Sequence, residues 1–239
     1  MNHPGIQRRL PAFLRRHVLH FEAAIEDRLA SFSQSLRPGA FVLDAGAGEA
    51  GHARYFARQR YVGVDMAVGD PTWNYRKLDT VGDLTALPFR SGCFDACINI
   101  VTLEHVREPA QALHEIHRVL NAGGRLLLIV PHEWEVHQAP HDYFRYTRHG
   151  LAYLLEKAGF RDCSIRPVGG YFRLLSRRLL NGLQFFPGLA GVVAALVVGP
   201  PALILPALDF LDKRRDFTLG YVCEARKGLP SGSSSERVG

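Results

Sequence analysis

The stretch Val42-Leu43-Asp44-Ala45-Gly46-Ala47-Gly48-Glu49-Ala50-Gly51 constrains the fold of this chain more than any other. Phe41 to Leu43 has the character of a short buried strand. Asp44 stands at the strand's carboxyl end, a glycine-rich turn follows, and Ala53, Phe56 and Ala57 begin an amphipathic helical pattern. Strand, glycine turn and helix in that order form the first βα unit of a nucleotide-binding α/β sheet. Gly46 and Gly48 can take backbone angles closed to other residues and let a ligand lie against bare backbone. The acid precedes the glycines, as D-x-G-x-G, unlike the dinucleotide pattern G-x-G-x-x-G. A carboxylate there repels a pyrophosphate and attracts a cationic ligand. Glycine-rich turns are common punctuation, so the neighbouring segments must decide what this one means.

Those neighbours alternate strand and helix. Tyr61 to Val64 forms a second strand ending in Asp65, about twenty residues past the turn, where a carboxylate meets a ribose in nucleotide-binding folds. A third strand is expected near Tyr75 to Leu78. Asp83 then precedes Leu84-Thr85-Ala86-Leu87 and suits a helix N-cap, with its segment free to read an adenine. Phe94 to Ile100 is a fourth strand, with Glu104 and His105 at its exit. A helix over Pro109 to Leu120 stops at Asn121-Ala122-Gly123-Gly124. Arg125 to Val130 is a fifth, almost wholly apolar strand, suited to a sheet covered on both faces. A helix capped by Thr147 and ended by Gly159, a sixth strand over Asp162 to Val168 and a last strand over Phe217 to Ala225 complete a doubly wound, mostly parallel, seven-stranded α/β sheet. Upstream, Leu14, Val18, Phe21, Ile25 and Leu29 recur at helical spacing between Pro11 and Leu36, with Arg8, Arg9, Arg15 and Arg16 at the start. This helix is expected to pack on the domain; a basic surface helix is the alternative.

Two segments break the rhythm. Pro131 to Tyr146 (PHEWEVHQAPHDYFRY) is dense in histidine, aromatic and charged residues, and loops beyond strand ends carry chemistry in open α/β sheets. His132, His137, His141 and Asp142 match no compact metal-ligand spacing, so no metal is expected. Between Leu179 and Leu208 there is no charged side chain. A membrane-spanning helix needs about twenty apolar residues. Pro187, Gly199-Pro200-Pro201 and Pro206 are expected to split this run, and a strand after it must return to the same sheet. A hairpin or in-plane membrane anchor through residues 179–211 follows, flanked by Arg173, Arg177 and Arg178 to meet anionic headgroups. The alternative is a buried helical lid. The expected organisation is an N-terminal helical segment (1–38), an α/β domain (39–168 with 216–227), the apolar insertion (169–215) and a disordered tail (228–239).

The formal net charge of +6 on 239 residues points to an anionic partner, whether lipid headgroup, nucleic acid or acidic small molecule. Cys93, Cys97, Cys163 and Cys223 form no C-x-x-C pair, which suggests reduced, buried thiols. No long apolar run precedes a cleavage-like site near the start, so no secretory signal is expected. The predicted location is the cytoplasm, at the inner face of the membrane.

With these pieces assembled, the chain resembles class I S-adenosylmethionine-dependent methyltransferases of the type 11 group. VLDAGAGEAG is similar to the family's cofactor loop, YVGVD to its ribose strand and GDLTALPF to its adenine segment. FDACINIVTLEHV resembles its fourth strand and EIHRVLNAGGRLLLIVP its helix and fifth strand. S-adenosylmethionine bears a sulfonium and an ammonium and no phosphate, in keeping with Asp44. The resemblance implies that Asp44, Gly46, Ala47 and Gly48 hold the methionine end of the cofactor. It implies Asp65 and Met66 at the ribose, Asp83 and Leu84 at the adenine, and Glu104 and His105 near the methyl group. Ala50 stands where the family usually has glycine.

Methyl transfer requires that the acceptor be positioned and water excluded, and a base only where the acceptor must lose a proton. His105, His137 and His141 are the candidate bases or positioning groups, and His132, Asp142, Tyr143, Arg145 and Tyr146 the expected acceptor side. The acceptor is expected to be an oxygen or nitrogen, less readily a carbon, of a small or lipid-linked molecule. A non-catalytic cofactor-binding module at a membrane is the second reading. An RNA methyltransferase is the third, since no Asn-Pro-Pro-Tyr-like motif follows strand four and no nucleic-acid partner is expected.

Overall fold

A computed structural model describes residues 17–229. The expected basic start of the first helix (Arg8, Arg9, Leu14, Arg15, Arg16) and tail residues 230–239 lie outside the described residues.

The strands are β1 (Phe41–Ala45), β2 (Arg60–Asp65), β3 (Thr80–Val81), β4 (Phe94–Ile100), β5 (Leu120–Pro131), β6 (Phe160–Val168) and β7 (Gly220–Lys227), forming one seven-stranded sheet in the order β3-β2-β1-β4-β5-β7-β6. Pairing is parallel from β3 to β5. β7 inserts antiparallel between β5 and β6. Successive strands run outward from β1 in one direction and from β4 in the other. Their shared border is therefore the topological switch point, and open α/β sheets bind ligands in the crevice beyond the strand carboxyl ends at such a point.

Both faces of the sheet are covered, as the apolar strands require. On one face α2 (Pro109–Val119) and α3 (Arg148–Lys157) bury Leu113, Ile116, Leu151 and Leu155 against β1, β4, β5 and β7. On the other, α1 (His20–Gln34) buries Phe21, Leu29 and Phe32, and α4 (Tyr171–Gly182) adds Leu174. α1 is thus a packing helix over its described residues. Thr147 caps α3 by accepting from the Gly150 N–H at 3.1 Å, and Gly159 follows the helix at φ +94°.

Several local expectations are corrected. The glycine turn leads into a short 3-10 turn, Gly51–Tyr55, instead of a full helix. Within the connection 46–59 between β1 and β2, Phe56 alone of the expected apolar stripe is fully buried, so there is no continuous apolar face for a longer helix to pack. The third strand is Thr80–Val81; Tyr75–Lys77 is a 3-10 turn capped by Asn74. Cys97 and Cys223 are buried, but Cys163 is exposed and Cys93 half-buried.

The apolar segment also differs. The chain turns at Phe185 to Pro187, and α5 (Gly188–Ile204) then runs unbroken with Pro200 and Pro201 inside it. Proline in a helix leaves the carbonyl four residues earlier without its N–H partner. Pro206 does this to Ala202, whose carbonyl instead accepts from the buried Ser176 hydroxyl of α4 at 2.5 Å. That bond fastens the end of α5 to the domain, so the hairpin is made by α4 and α5. The arginines expected to face headgroups are engaged internally. Arg173 and Arg215 pair with Asp209, Arg178 with Glu133 and Glu135, and Arg177 with Glu22 while it lies 3.6 Å over the Trp134 ring.

Candidate active site

The site is built where β1, β2 and β4 end. Gly46 has φ +93°, and a Cβ there would lie 2.1 Å from the Thr102 methyl carbon, so no other residue fits between the β1 exit and the β4 exit. The buried Asn99 amide donates to the Ala45 carbonyl at 2.6 Å and locks the two strand ends together. Val101, a β-branched residue, is held at φ +51° where β4 ends. This uncommon conformation turns the chain sharply and brings Thr102 to His105 back over the crevice.

Asp44 is fully buried in the last turn of β1, and its Oδ2 accepts from the Tyr61 hydroxyl at 2.5 Å and contacts His52 Nδ1 at 2.9 Å. Its Oδ1 has no partner among the described residues. Tyr61 and His52 were missed in the sequence. His52 lies just past the glycine turn, but nothing local says that a β2 tyrosine reaches back to β1. Burial and, after it, the Asp44 carboxylate push the Tyr61 phenol far above its usual range.

Asp65, at the end of β2, accepts from the Gly48 N–H at 3.0 Å and the Ala67 N–H at 2.8 Å. This pins the glycine turn to the end of β2. Trp73 stands over the turn, 3.3 Å from where a Gly48 Cβ would be, and no strand or helix pattern around it marks that position in the sequence. Ala47 is buried and Met66 exposed. Asp83 caps the 3-10 turn Leu84–Ala86 through the Thr85 N–H at 2.8 Å, and Leu84 is buried in the core beside α2.

On the other side of the crevice, Glu104 is 0% exposed and neither carboxylate oxygen has a hydrogen-bond partner among the described residues. The His105 and His137 Nε2 atoms each lie 3.7 Å from Glu104 Oε1, and the two rings meet edge to face at 4.7 Å. His137 comes from the segment 132–146, which is laced to the β4 exit. The Tyr143 and Phe144 N–H groups donate to the Glu104 carbonyl, and the Tyr146 hydroxyl donates to Leu103 O at 2.8 Å.

Within that segment Arg145 grips Asp142 through both terminal nitrogens, at 2.6 and 2.8 Å, and also donates to the Trp134, Glu135 and Phe144 carbonyls. Burial opposes ionisation of Asp142, but the Arg145 hydrogen bonds and the His137 backbone N–H outweigh it and bring its pKa down to about 2. Burial likewise opposes protonation of His137, yet Glu104, the Glu135 carbonyl and Asp142 raise its pKa.

The acceptor-side candidates therefore divide. His105 and His137 converge on Glu104. His141 supplies its carbonyl to His105 Nδ1 at 2.6 Å, and its ring meets the Tyr143 hydroxyl at 3.2 Å. Arg145, Tyr146 and His132, whose Nδ1 meets the Tyr146 carbonyl at 2.8 Å, hold the segment's shape. Asp142 bridges the two groups.

A sheet in this order with β7 reversed, a glycine turn after β1 and acids at the ends of β1, β2 and β4 define the class I S-adenosylmethionine-dependent methyltransferase fold. Residues 43–128, from β1 into β5, match the family described as a methyltransferase domain, and this part of the chain is such a domain, of the type 11 group.

The chain is similar to an uncharacterized 37.1 kDa protein in a transposon of Streptomyces fradiae, 30% identical over 166 residues, covering 57% of this chain and 48% of that protein. It is also similar to a demethylmenaquinone methyltransferase of Renibacterium salmoninarum, 35% identical over 97 residues, covering 38% of this chain and 41% of that enzyme. It thus spans about half the length of the curated relatives it matches. Among solved structures, the fold matches a Haemonchus contortus phosphoethanolamine N-methyltransferase in complex with S-adenosylmethionine at TM-score 0.55 and 17% identity, covering 85% of this chain and 53% of that one. The family match ends at residue 128, so the segment 132–146 and α5 lie outside it.

Proposed function

We propose that this protein transfers a methyl group from S-adenosylmethionine to an oxygen or nitrogen of a small or lipid-linked acceptor at a membrane surface. One observation carries the reading: Asp44, Asp65 and Glu104 stand together at the ends of β1, β2 and β4, around a turn that admits only glycine at position 46. The residues fit the cofactor. Asp44 Oδ1 is a buried acceptor lacking a donor, suited to an ammonium, and the Asp65 carboxylate keeps acceptor capacity for ribose hydroxyls beyond its two backbone N–H bonds. When bound, S-adenosylmethionine supplies a methyl group already activated by its sulfonium.

The protein's own contribution is position and dryness. Segment 132–146, tied to the β4 exit by Tyr143, Phe144 and Tyr146, covers the crevice and excludes water. The cluster of Glu104, His105 and His137 holds the acceptor's nucleophilic atom and manages its proton where it has one to lose.

The membrane part of the reading rests on α5. Gly188–Leu211 has 24 residues and contains an 18-residue stretch of mean hydropathy 2.2, long and apolar enough to cross a membrane by length and composition. Phe185, Leu189, Leu196 and Val197 are largely exposed, and Lys213 and Arg214 lie exposed just beyond. An apolar surface of this extent on a soluble face calls for a cover. The relative named for demethylmenaquinone accords with an apolar acceptor.

The test uses the whole protein with methyl-labelled S-adenosylmethionine and, separately, a membrane-lipid extract and a soluble extract. Label is expected in an organic-soluble product. Asp65→Asn is expected to weaken cofactor binding about 10- to 100-fold by calorimetry, the cost of one hydrogen bond to a charged group. Cofactor binding without transfer to either extract would favour the non-catalytic module, and absence of binding would end both readings.

A further inference from the structure

Four buried polar atoms in one side-chain cluster have no hydrogen-bond partner among the described residues: Glu104 Oε1 and Oε2, His105 Nε2 and His137 Nε2. One ligand atom from each residue can be chosen so that all lie within 4.8 Å of one another, with both histidine nitrogens 3.7 Å from Glu104 Oε1. That separation is too long for hydrogen bonds. Buried polar atoms are almost always satisfied, so a cluster of four needs an explanation.

The proton positions supply it. His105 Nδ1 lies 2.6 Å from the His141 carbonyl, which can only accept, so this nitrogen carries the hydrogen. His137 Nδ1 lies 3.1 Å from the Glu135 carbonyl. The nearby Arg145 nitrogen already donates to Glu135 O and Asp142 Oδ2, each at 2.8 Å, so His137 Nδ1 is a donor too. In the neutral rings both Nε2 atoms then present lone pairs toward a carboxylate. Three acceptor groups gathered in a buried site attract a cation, and a proton on either ring would have to bridge 3.7 Å to Glu104 Oε1, too long for a hydrogen bond.

We propose that Glu104, His105 and His137 bind a divalent transition-metal ion of the zinc or iron(II) kind. Two imidazoles and one carboxylate form a recurrent donor set for such ions, with coordination positions left open. Ligand atoms held about 2.1 Å from one tetrahedral ion lie about 3.4 Å apart, so the two 3.7 Å separations from Glu104 need only a small inward movement, while the two histidine nitrogens, within 4.8 Å of each other, close in by rotation of their rings. Backbone carbonyls behind both Nδ1 atoms fix the tautomers and ring orientations. Asp142, 4.0 Å from His105 Nδ1 and 3.5 Å from His137 Nδ1 and clamped by Arg145, adds a carboxylate behind the rings.

Metal binding stands on these residues alone. Its use, to hold the acceptor oxygen or nitrogen at an open position and ease its loss of a proton, rests on the methyl-transfer reading. The site is hidden in the sequence because it pairs a β4-exit dipeptide with a histidine 32 residues away and leaves out His132 and His141.

The experiment loads purified full-length protein with Co(II), removes excess ion by gel filtration, and measures bound cobalt and the visible ligand-field spectrum, with no acceptor present. One cobalt per chain with an imidazole-type spectrum is expected, unchanged in His132→Gln and lost in His137→Gln and Glu104→Gln. No retained cobalt in the wild-type protein overturns the proposal, whether or not the variants fold. So does an unchanged spectrum in His137→Gln. Cofactor binding, measured separately on the metal-free protein, shows whether the methyl-transfer reading survives such a failure.

Discussion

At the residue scale, the glycine turn is held by sterics that a single methyl group can test. Gly46 combines φ +93° with a hypothetical Cβ 2.1 Å from Thr102 Cγ2 and 2.5 Å from its Oγ1. Gly46→Ala must adopt a left-handed conformation, costing about 1–2 kcal/mol, and displace Thr102 from a packed site, costing about 1–3 kcal/mol more. Denaturant unfolding is expected to show that sum. Adding Thr102→Gly, which removes the Thr102 Cβ at 2.7 Å along with the atoms beyond it, is expected to recover only the steric part. Ala50 shows the opposite relation of residue to backbone. It occupies a left-handed position, φ +58°, a conformation that favours glycine. The alanine thus stores strain in the loop, whereas Gly51 keeps an ordinary backbone. Asp44, Asp65 and Asp83 were legible one by one because each closes or follows a strand. The partners of Asp44 were not, since Tyr61 reaches it across the sheet.

At the element scale, the segment 132–146 has no helix or strand of its own beyond the β5 end, so its shape depends on side chains. Arg145 and Asp142 carry that burden: the Asp142 side chain is 2% exposed and bound at both oxygens. Its pKa is about 2, below the ordinary aspartate value of about 3.9 in an unfolded chain. A group depressed in this direction stabilises the fold above the unfolded value and loses that contribution as pH falls toward the folded one. Trp134 fluorescence, followed from pH 5 to about 2, is expected to show the segment loosening in the wild-type protein. Asp142→Asn is expected to remove that acid-dependent step and to be less stable at neutral pH. An identical acid limb in the two proteins would assign the transition elsewhere. The histidine-rich composition marked this segment in the sequence, but the division of labour within it depends on how it folds back over β4.

At the scale of the whole molecule, an α/β domain with two well-covered faces carries one helix that it does not cover. Leu189 on α5 is 80% exposed and Leu196 72%. Full-length protein is expected to float with vesicles. Leu189→Gln with Leu196→Gln is expected to weaken that association at least about tenfold, since burying each leucine is worth about 1.5–3 kcal/mol. The melting temperature is expected to stay put, because neither side chain packs on the domain. Flotation unaffected by the double change would remove α5 from the contact. Anionic lipid is expected to help less than the sequence implied, because Arg173, Arg177 and Arg178 are paired within the fold.

The sequence by itself determined the sheet, its two-sided cover and the glycine turn with its acids. These follow from local periodicity and from residue types at strand ends, which act over a few neighbouring residues. Its local errors were of the same range: a third strand displaced by a few residues, a 3-10 turn in place of a helix, and prolines expected to break α5. Proline does remove helix hydrogen bonds, but Ser176 of α4 takes up one freed carbonyl. Only the tertiary structure decided which side chains meet. Tyr61 on Asp44, Arg177 on Trp134, and His137 beside Glu104 and His105 join residues far apart along the chain, and their contacts depend on the strand order and the path of the 132–146 segment.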